Sequence, residues 1–328
     1  MLYRRLGSTD VQVPEIGLGC SAYWGHRAFS ERQAIAVVEE AFAQGINFFD
    51  TGHNYANFNA EPRLGRALRA LLRQVDRAQL VISSKAGSLR GSTRLTHDRA
   101  RREGDHDYSP DAIEASCRAS IANLGCGYLD IFQLHAIGAD QLTAALLERL
   151  ADMRRAGLYR LLGINSHSGD DLRHLSAQRG PVDMVLLDYN ALQQDREPVI
   201  AALAETGIGV VAGTALAQGH LVRRRPGSLA SGAWFWYLAR ALLKPGSRRL
   251  ARAAAPLREA LAAIPGMTPA QAAVAYVLGN AGVASCLVGT TQPEHLRELA
   301  LASGLRLPEA GRQAIRQAYA RLPRPVSR

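Results

Sequence analysis

Four side chains in this sequence combine proton chemistry with a place at the end of an apolar run: Asp50, Tyr55, Lys85 and His135. Asp50 closes INFFD (46–50), with Tyr55 five residues on; Lys85 closes LVISSK (80–85); His135 closes LDIFQLH (129–135). Of 39 Lys and Arg residues only Lys85 and Lys244 are lysine. An arginine-writing chain that keeps a lysine here implies a task for a compact ammonium of tunable proton affinity, which a planar guanidinium does not offer. A carboxylate would hold that ammonium as an ion pair. The ammonium in turn would favour the phenolate of a nearby tyrosine and lower its pKa from about 10. An imidazole would donate a hydrogen bond to a reacting oxygen. Together they suit general acid–base chemistry at a carbonyl or hydroxyl oxygen. Taken singly, Asp50 reads as a turn residue, His135 as a satisfied core histidine, Tyr55 as a loop aromatic and Lys85 as half of a surface pair. Their order on consecutive structural units argues for chemistry.

Those units are strand-like runs followed by helical patterns. IGLGC (16–20) precedes ERQAIAVVEEAFAQG, INFFD precedes EPRLGRALRALLR, and LVISSK precedes the loop 86–108 and the helix SPDAIEASCRASIANLG. LDIFQLH, YRLLGIN (159–165), VDMVLLDYN (182–190), IGVVAGT (208–214) and VASCLVGT (283–290) continue the alternation. The strands are continuous apolar runs, as expected when both faces of a sheet are covered. Eight such units predict an α/β fold, a (β/α)8 TIM barrel, with chemistry at the C-terminal ends of its strands. A doubly wound open sheet fits less well. Gly17-Leu18-Gly19 continues as Cys20-Ser21-Ala22, with none of the glycine fingerprint that fold uses for dinucleotides. One domain, 1–328, is expected, with an N-terminal β-hairpin, a long insertion over 214–267 carrying two helices, and a last helix within 304–328.

Composition narrows the class. The chain is 47% hydrophobic and 21% charged, ordinary for a globular protein. No apolar run reaches the roughly 20 residues of a membrane span, and the first residues lack a signal-peptide core. Four scattered cysteines without a C-x-x-C pair fit a reducing cytosol and argue against a zinc site. The net charge of +10 comes from separated arginine blocks at 99–102, 223–225 and 248–252 with no nucleic-acid-binding motif beside them. A cytoplasmic protein with a solvated basic surface, no metal, no nucleic-acid partner and no membrane is expected, its charge a modest attraction for an anionic ligand.

From RRLGSTDVQVPEIGLG to VGTTQPEHLREL the chain resembles the aldo-keto reductase superfamily, in its bacterial type. GINFFDTGHNYA with the downstream RLGRAL, ISSK, LDIFQLH and LLGIN carry the resemblance. It implies a barrel that reduces aldehydes or ketones with NADPH or, less often, NADH. Asp50, Tyr55, Lys85 and His135 match the family's tetrad, with Tyr55 as general acid in reduction and base in oxidation. Asn165 and Ser166, followed by His167, match positions that grip the nicotinamide amide. Leu186 stands where the family usually has a glutamine, and Gly213 where many members stack an aromatic ring. The segment with Thr214, Leu216, Gln218 and Gly219 resembles the diphosphate loop. Gly289, Thr290, Thr291, His295, Arg297 and Glu298 correspond to the adenosine end, where Gly289 and His295 replace the Lys and Arg that many members use for a 2′-phosphate and Arg297 is the residue left to compensate. NADPH is the expected cofactor and NADH its rival. Tyr23, Trp24, His53 and Phe58 are the expected substrate wall. The run 234–237 (WFWY) reads as a helix packed on the barrel or as more pocket wall, and the arginine-rich loop 86–108 as a cover or a solvated loop. Two other activities stay open: a sugar-type dehydrogenase working oxidatively, and a non-catalytic subunit that senses nicotinamide nucleotides.

Overall fold

The computed structural model describes every residue except 28, 90–105, 167–168, 178–179, 223–244 and 323–328. The WFWY run, His167, Lys244, the arginines at 223–225 and most of the loop 86–108 lie outside the described residues. A hairpin of β1 (Tyr3–Arg5) and β2 (Gln12–Pro14) comes first, paired antiparallel. Eight parallel strands follow: β3 (Ile16–Gly19), β4 (Phe48–Asp50), β5 (Val81–Ala86), β6 (Leu129–His135), β7 (Tyr159–Asn165), β8 (Met184–Asp188), β9 (Gly209–Gly213) and β10 (Val283–Val288). They close into a barrel in sequence order, β10 returning to β3. The expected barrel is therefore what the chain forms.

Helices alternate with the strands: α1 (Glu31–Ala43), α2 (Ala60–Leu71), α3 (Pro110–Leu124), α4 (Ala144–Arg155), α5 (Gly169–Ala177), α6 (Glu197–Glu205), α7 (Pro245–Ala262), α8 (Pro269–Leu278), α9 (Pro293–Ala300) and α10 (Glu309–Ala320). Local chemistry sets several starts. Ser30 and Gln33 form a capping box on α1, and the Thr143 side chain accepts from the Leu146 N–H at the start of α4. One helix has no counterpart in the sequence reading. α8 is buried from Gln271 to Leu278, so it shows no polar stripe to betray its period. Its signal was the start, where Thr268 and Gln271 cap each other around Pro269.

Two apolar layers hold the barrel. The inner one joins Phe48, Val81, Ile131, Leu161, Met184, Leu186, Val211, Ala284 and Leu287 to Leu6, Val11 and Val13 of the hairpin. The hairpin therefore plugs the N-terminal end of the barrel. Its turn needs glycine: Gly7 has φ +59°, and a Cβ there would lie 2.3 Å from the Gly207 carbonyl oxygen. The outer layer packs the opposite strand faces against the helices. Among the described residues no helix is long and apolar enough to cross a membrane. All four cysteines are buried and unpaired.

Candidate active site

Period-two alternation decides what faces the open end of the barrel. On β8, Leu186 belongs to the inner layer and Leu187 to the outer, so Asp188 points inward. The same count on the other strands brings Asp50, Lys85, His135 and Asn165 inward at their C-terminal ends, and Gly19, Gly213 and Gly289 complete the rim. The rim thus has a charged and polar arc on β4 to β8 and a bare arc where β9, β10 and β3 adjoin. A Cβ at Gly19, Gly213 or Gly289 would meet nothing closer than 3.5 Å. Packing does not demand glycine at these positions, which together make a shelf bare of side chains.

The four residues singled out by spacing meet here. The Lys85 ammonium donates to Asp50 Oδ2 at 2.5 Å and to the Thr51 carbonyl at 2.5 Å, and all three groups are buried. Its nitrogen lies 5.3 Å from the centre of the Tyr55 ring. The Tyr55 and His135 rings stand edge to face, 5.7 Å apart at 82°. Burial is the largest influence on Lys85 and pulls its pKa down, but the Asp50 charge and hydrogen bond, with Tyr55 and Cys20, together outweigh it and hold the pKa above the ordinary lysine value. The Tyr55 phenol departs from the simple expectation of an acidified group. Burial is the largest influence and pushes its pKa up. Lys85 pulls it down, while Asp50 and Asp188 push it up again, and the net shift is upward. Tyr55 therefore carries its proton at neutral pH, as an acid for carbonyl reduction must.

Two rim-directed groups escaped the sequence reading. Asp188 accepts a hydrogen bond from the Thr214 hydroxyl at 3.0 Å, and its charge reaches Tyr55. Gln133, two residues before His135, donates to Asp50 Oδ1 at 2.7 Å. Counting inward-facing positions back from His135 and forward from Leu186 would have found both.

The expected substrate wall divides. Phe58 is exposed beside the mouth, and Tyr23 is half-buried against His26 and Phe29. Trp24 is buried edge-on against Phe29, within the outer apolar layer. His53 stands edge to face with Phe58, the ring centres 5.2 Å apart. Its Nδ1 lies 3.1 Å from Glu61, a fully buried carboxylate on α2 that also accepts from Ser84 at 2.5 Å and from Asn123 of α3 at 3.1 Å. Ser84 alternates with the inward Ser83 and Lys85, so this cluster sits between strands and helices. Burial would raise the Glu61 pKa, but hydrogen bonds led by those from His53 and Ser84 hold it below the ordinary value. A carboxylate so lowered stabilises the fold above its unfolded-state pKa, and the contribution is lost as pH falls through the folded value. Glu61→Gln should therefore cost about 2 kcal/mol near neutrality, with the deficit closing in acid. Denaturant unfolding at the two pH values checks this, and a pH-independent deficit would count against it.

The expected cofactor residues fall into two groups, Asn165 and Ser166 at the end of β7 and the others after β9 and β10. Asn165 is buried and donates from its amide to the Leu186 carbonyl at 3.3 Å; Ser166 is also buried. Leu186 sits in the inner apolar layer and has no group to offer an amide. After β9 the backbone turns tightly, with Thr214, Ala217, Gln218 and Gly219 at positive φ. The turn is closed from within, the Ala217 N–H donating to the Thr214 carbonyl. Leu216 lies within this turn and accepts the Gly219 N–H. Beyond Gly289, the Thr290 hydroxyl accepts from the Gln292 N–H at the start of α9 and lies 3.1 Å from His295 Nδ1, with Thr291 between them in sequence. Arg297 is engaged elsewhere, donating twice to Glu40 of α1 at 3.0 and 2.6 Å. Glu298 joins two helices, its carboxylate accepting from Thr268 at 2.6 Å and its carbonyl from Gln271 at 2.9 Å.

Backbone strain marks the same end of the barrel. Every described non-glycine residue at positive φ follows β4, β6 or β9: Ala56, Asn57 and Phe58; Ala136; Thr214, Ala217 and Gln218. Such conformations cost energy and collect where a site is held in shape.

Comparison with known proteins agrees with this geometry. The Aldo/keto reductase family matches residues 15–320. L-galactose dehydrogenase of Arabidopsis thaliana is 28% identical over 303 residues, covering 90% of this chain and 86% of the relative. The NADH-specific methylglyoxal reductase of Escherichia coli (strain K12) is 28% identical, covering 95% and 96%. D-threo-aldose 1-dehydrogenase of a Pseudomonas species is 29% identical, covering 92% of each. An aldo-keto reductase of Bacillus halodurans in its holo form superposes with a TM-score of 0.71 at 24% identity, covering 97% of this chain and 96% of that one. With the barrel closed, the rim residues assembled and the match spanning nearly the whole length, the chain belongs to the Aldo/keto reductase family of oxidoreductases.

Proposed function

We propose that this protein interconverts a small carbonyl compound and its alcohol, using a nicotinamide dinucleotide, with Tyr55 as the proton carrier. The observation that carries this reading is the buried Lys85–Asp50 pair set beside Tyr55 and His135. A bound nicotinamide dinucleotide supplies the hydride in reduction and takes one up in oxidation. Asn165 and Ser166 would hold its amide, the glycine shelf its ring, and the turn over residues 214–219 its diphosphate. Tyr55 gives its proton to the carbonyl oxygen as charge develops there, and takes it back in the reverse direction. His135 orients that oxygen, and Lys85 steadies the phenolate that remains. With the phenol raised, the two directions should separate in pH: reduction persists at neutral pH, and oxidation climbs as pH approaches the phenol value. Rates in both directions on panels of carbonyls and sugars test this. Binding of both dinucleotides without turnover on any substrate would overturn the reading in favour of a nucleotide-sensing role.

Two relatives are named for sugar oxidation, so aldoses are the substrates to try first. For the cofactor, NADPH requires a partner for its 2′-phosphate, and Arg297 is already paired with Glu40. That pair favours NADH as a second reading, in line with the NADH-specific relative. Glu40→Gln would release the guanidinium. NADPH should then bind about tenfold more tightly, one charge-assisted hydrogen bond's worth, with NADH affinity unchanged. Fluorescence titration with each dinucleotide reads the ratio, and equal changes for both would remove Arg297 from the adenosine end.

A further inference from the structure

Beneath the rim lies a second layer of polar groups. Gln133 is fully buried on β6 and registers with Lys85 of β5. Its amide nitrogen donates to Asp50 Oδ1 at 2.7 Å and to Ser83 Oγ at 2.6 Å. Asp50 is thereby held at both oxygens, Oδ2 by Lys85 and Oδ1 by Gln133. A carboxylate held at one oxygen can still turn about its bond to Cβ; held at both, it cannot. The amide's direction is dictated by charge, because turning it over would set a carbonyl oxygen against a carboxylate oxygen. In the direction adopted, Oε1 is buried with no hydrogen-bond partner among the described residues. A buried orphan acceptor is costly, and the contact at the nitrogen end is what offsets it. The neighbouring strand leaves room for the arrangement: a Cβ on Gly163 of β7 would lie 2.7 Å from Gln133 Cγ.

We propose that Gln133 is a positioning residue: by pinning Asp50 Oδ1 it fixes the carboxylate that holds Lys85 against Tyr55. This rests on the reading of Tyr55 as the proton carrier. The ionisable groups facing the phenol are Lys85 of β5, Asp50 of β4, Asp188 of β8 and His135 of β6. Of the charges named for it, Lys85 has the largest effect and the only lowering one. Loosening Lys85 should therefore move the phenol further up.

Gln133→Met keeps the length of the side chain and removes the amide, and Gln133→Glu replaces the donor with a second carboxylate. Tyr55 ionisation is followed by NMR of ring-13C-tyrosine protein, with Tyr55→Phe assigning the signal, alongside thermal unfolding and the pH dependence of kcat and KM. In Gln133→Met the Tyr55 midpoint should rise by about half a unit to one unit, with kcat down about tenfold and KM little changed. In Gln133→Glu the rise should be larger, because a negative charge is added beside Asp50. A midpoint and pH profile identical to wild type in either folded variant would overturn the proposal. So would a lowered Tm with an unmoved profile, which is the mark of a structural role alone. The NMR measurement reads the phenol whether or not the protein turns over, so this proposal and the proposed activity can fail separately.

Discussion

Tyr55→Phe is expected to lower turnover by about 10²–10⁴-fold, the range set by loss of a positioned acid, while leaving dinucleotide affinity nearly unchanged. The phenyl ring keeps the edge-to-face contact with His135 and the place above Lys85. Only the hydroxyl goes, and with it the group able to meet charge on the reacting oxygen. Because the loss falls on the chemical step, kcat and kcat/KM should fall together. Steady-state kinetics paired with dinucleotide titration separates this from a binding defect. Full turnover by the variant would remove Tyr55 from the mechanism.

Asp50→Asn should damage both stability and activity. It keeps the shape of the side chain and strips the charge that lets a fully buried Lys85 stay protonated. Breaking one side of a buried pair costs about 3–5 kcal/mol, and turnover should fall by about 10² or more as the phenolate loses its ammonium. The sign with pH follows from linkage. In the wild type Lys85 has a raised folded pKa, so its contribution is complete at neutral pH and is lost only as pH rises through that value. In the variant burial wins and the folded pKa drops below the unfolded one, so the deficit shrinks as pH rises toward about 10. Denaturant unfolding at neutral and alkaline pH tests this, and a deficit that does not change with pH would argue against a charged Lys85.

The apolar runs ending in Asp50, Lys85 and His135 were legible because a parallel strand buried on both faces has no polar position to spare until its C-terminal end. Only two lysines among 39 Lys and Arg residues, one of them closing an apolar run at position 85, pointed to a specific demand for an ammonium. α8 was not legible, since burial from Gln271 to Leu278 erased its periodicity. His53 and Trp24 read as pocket residues because loop aromatics beside a tyrosine look alike in sequence. Only the fold shows that one bonds to Glu61 and the other packs on Phe29. Arg297 and Glu298 were placed by position along the chain, and their partners Glu40 and Thr268 come from other helices.

From its residues alone the chain determined a barrel of eight units and which four candidate groups stand at its strand ends, because strand burial and side-chain chemistry are local properties. The tertiary structure decided the rest. Whether Tyr55 is acidified depends on the balance of Lys85 against burial, Asp50 and Asp188, and the three charges come from three different strands. Gln133 and Asp188 acquire meaning only once alternation and closure aim them at the same mouth. Electric fields and hydrogen bonds act through space, and the distances that set them exist only after the barrel has closed.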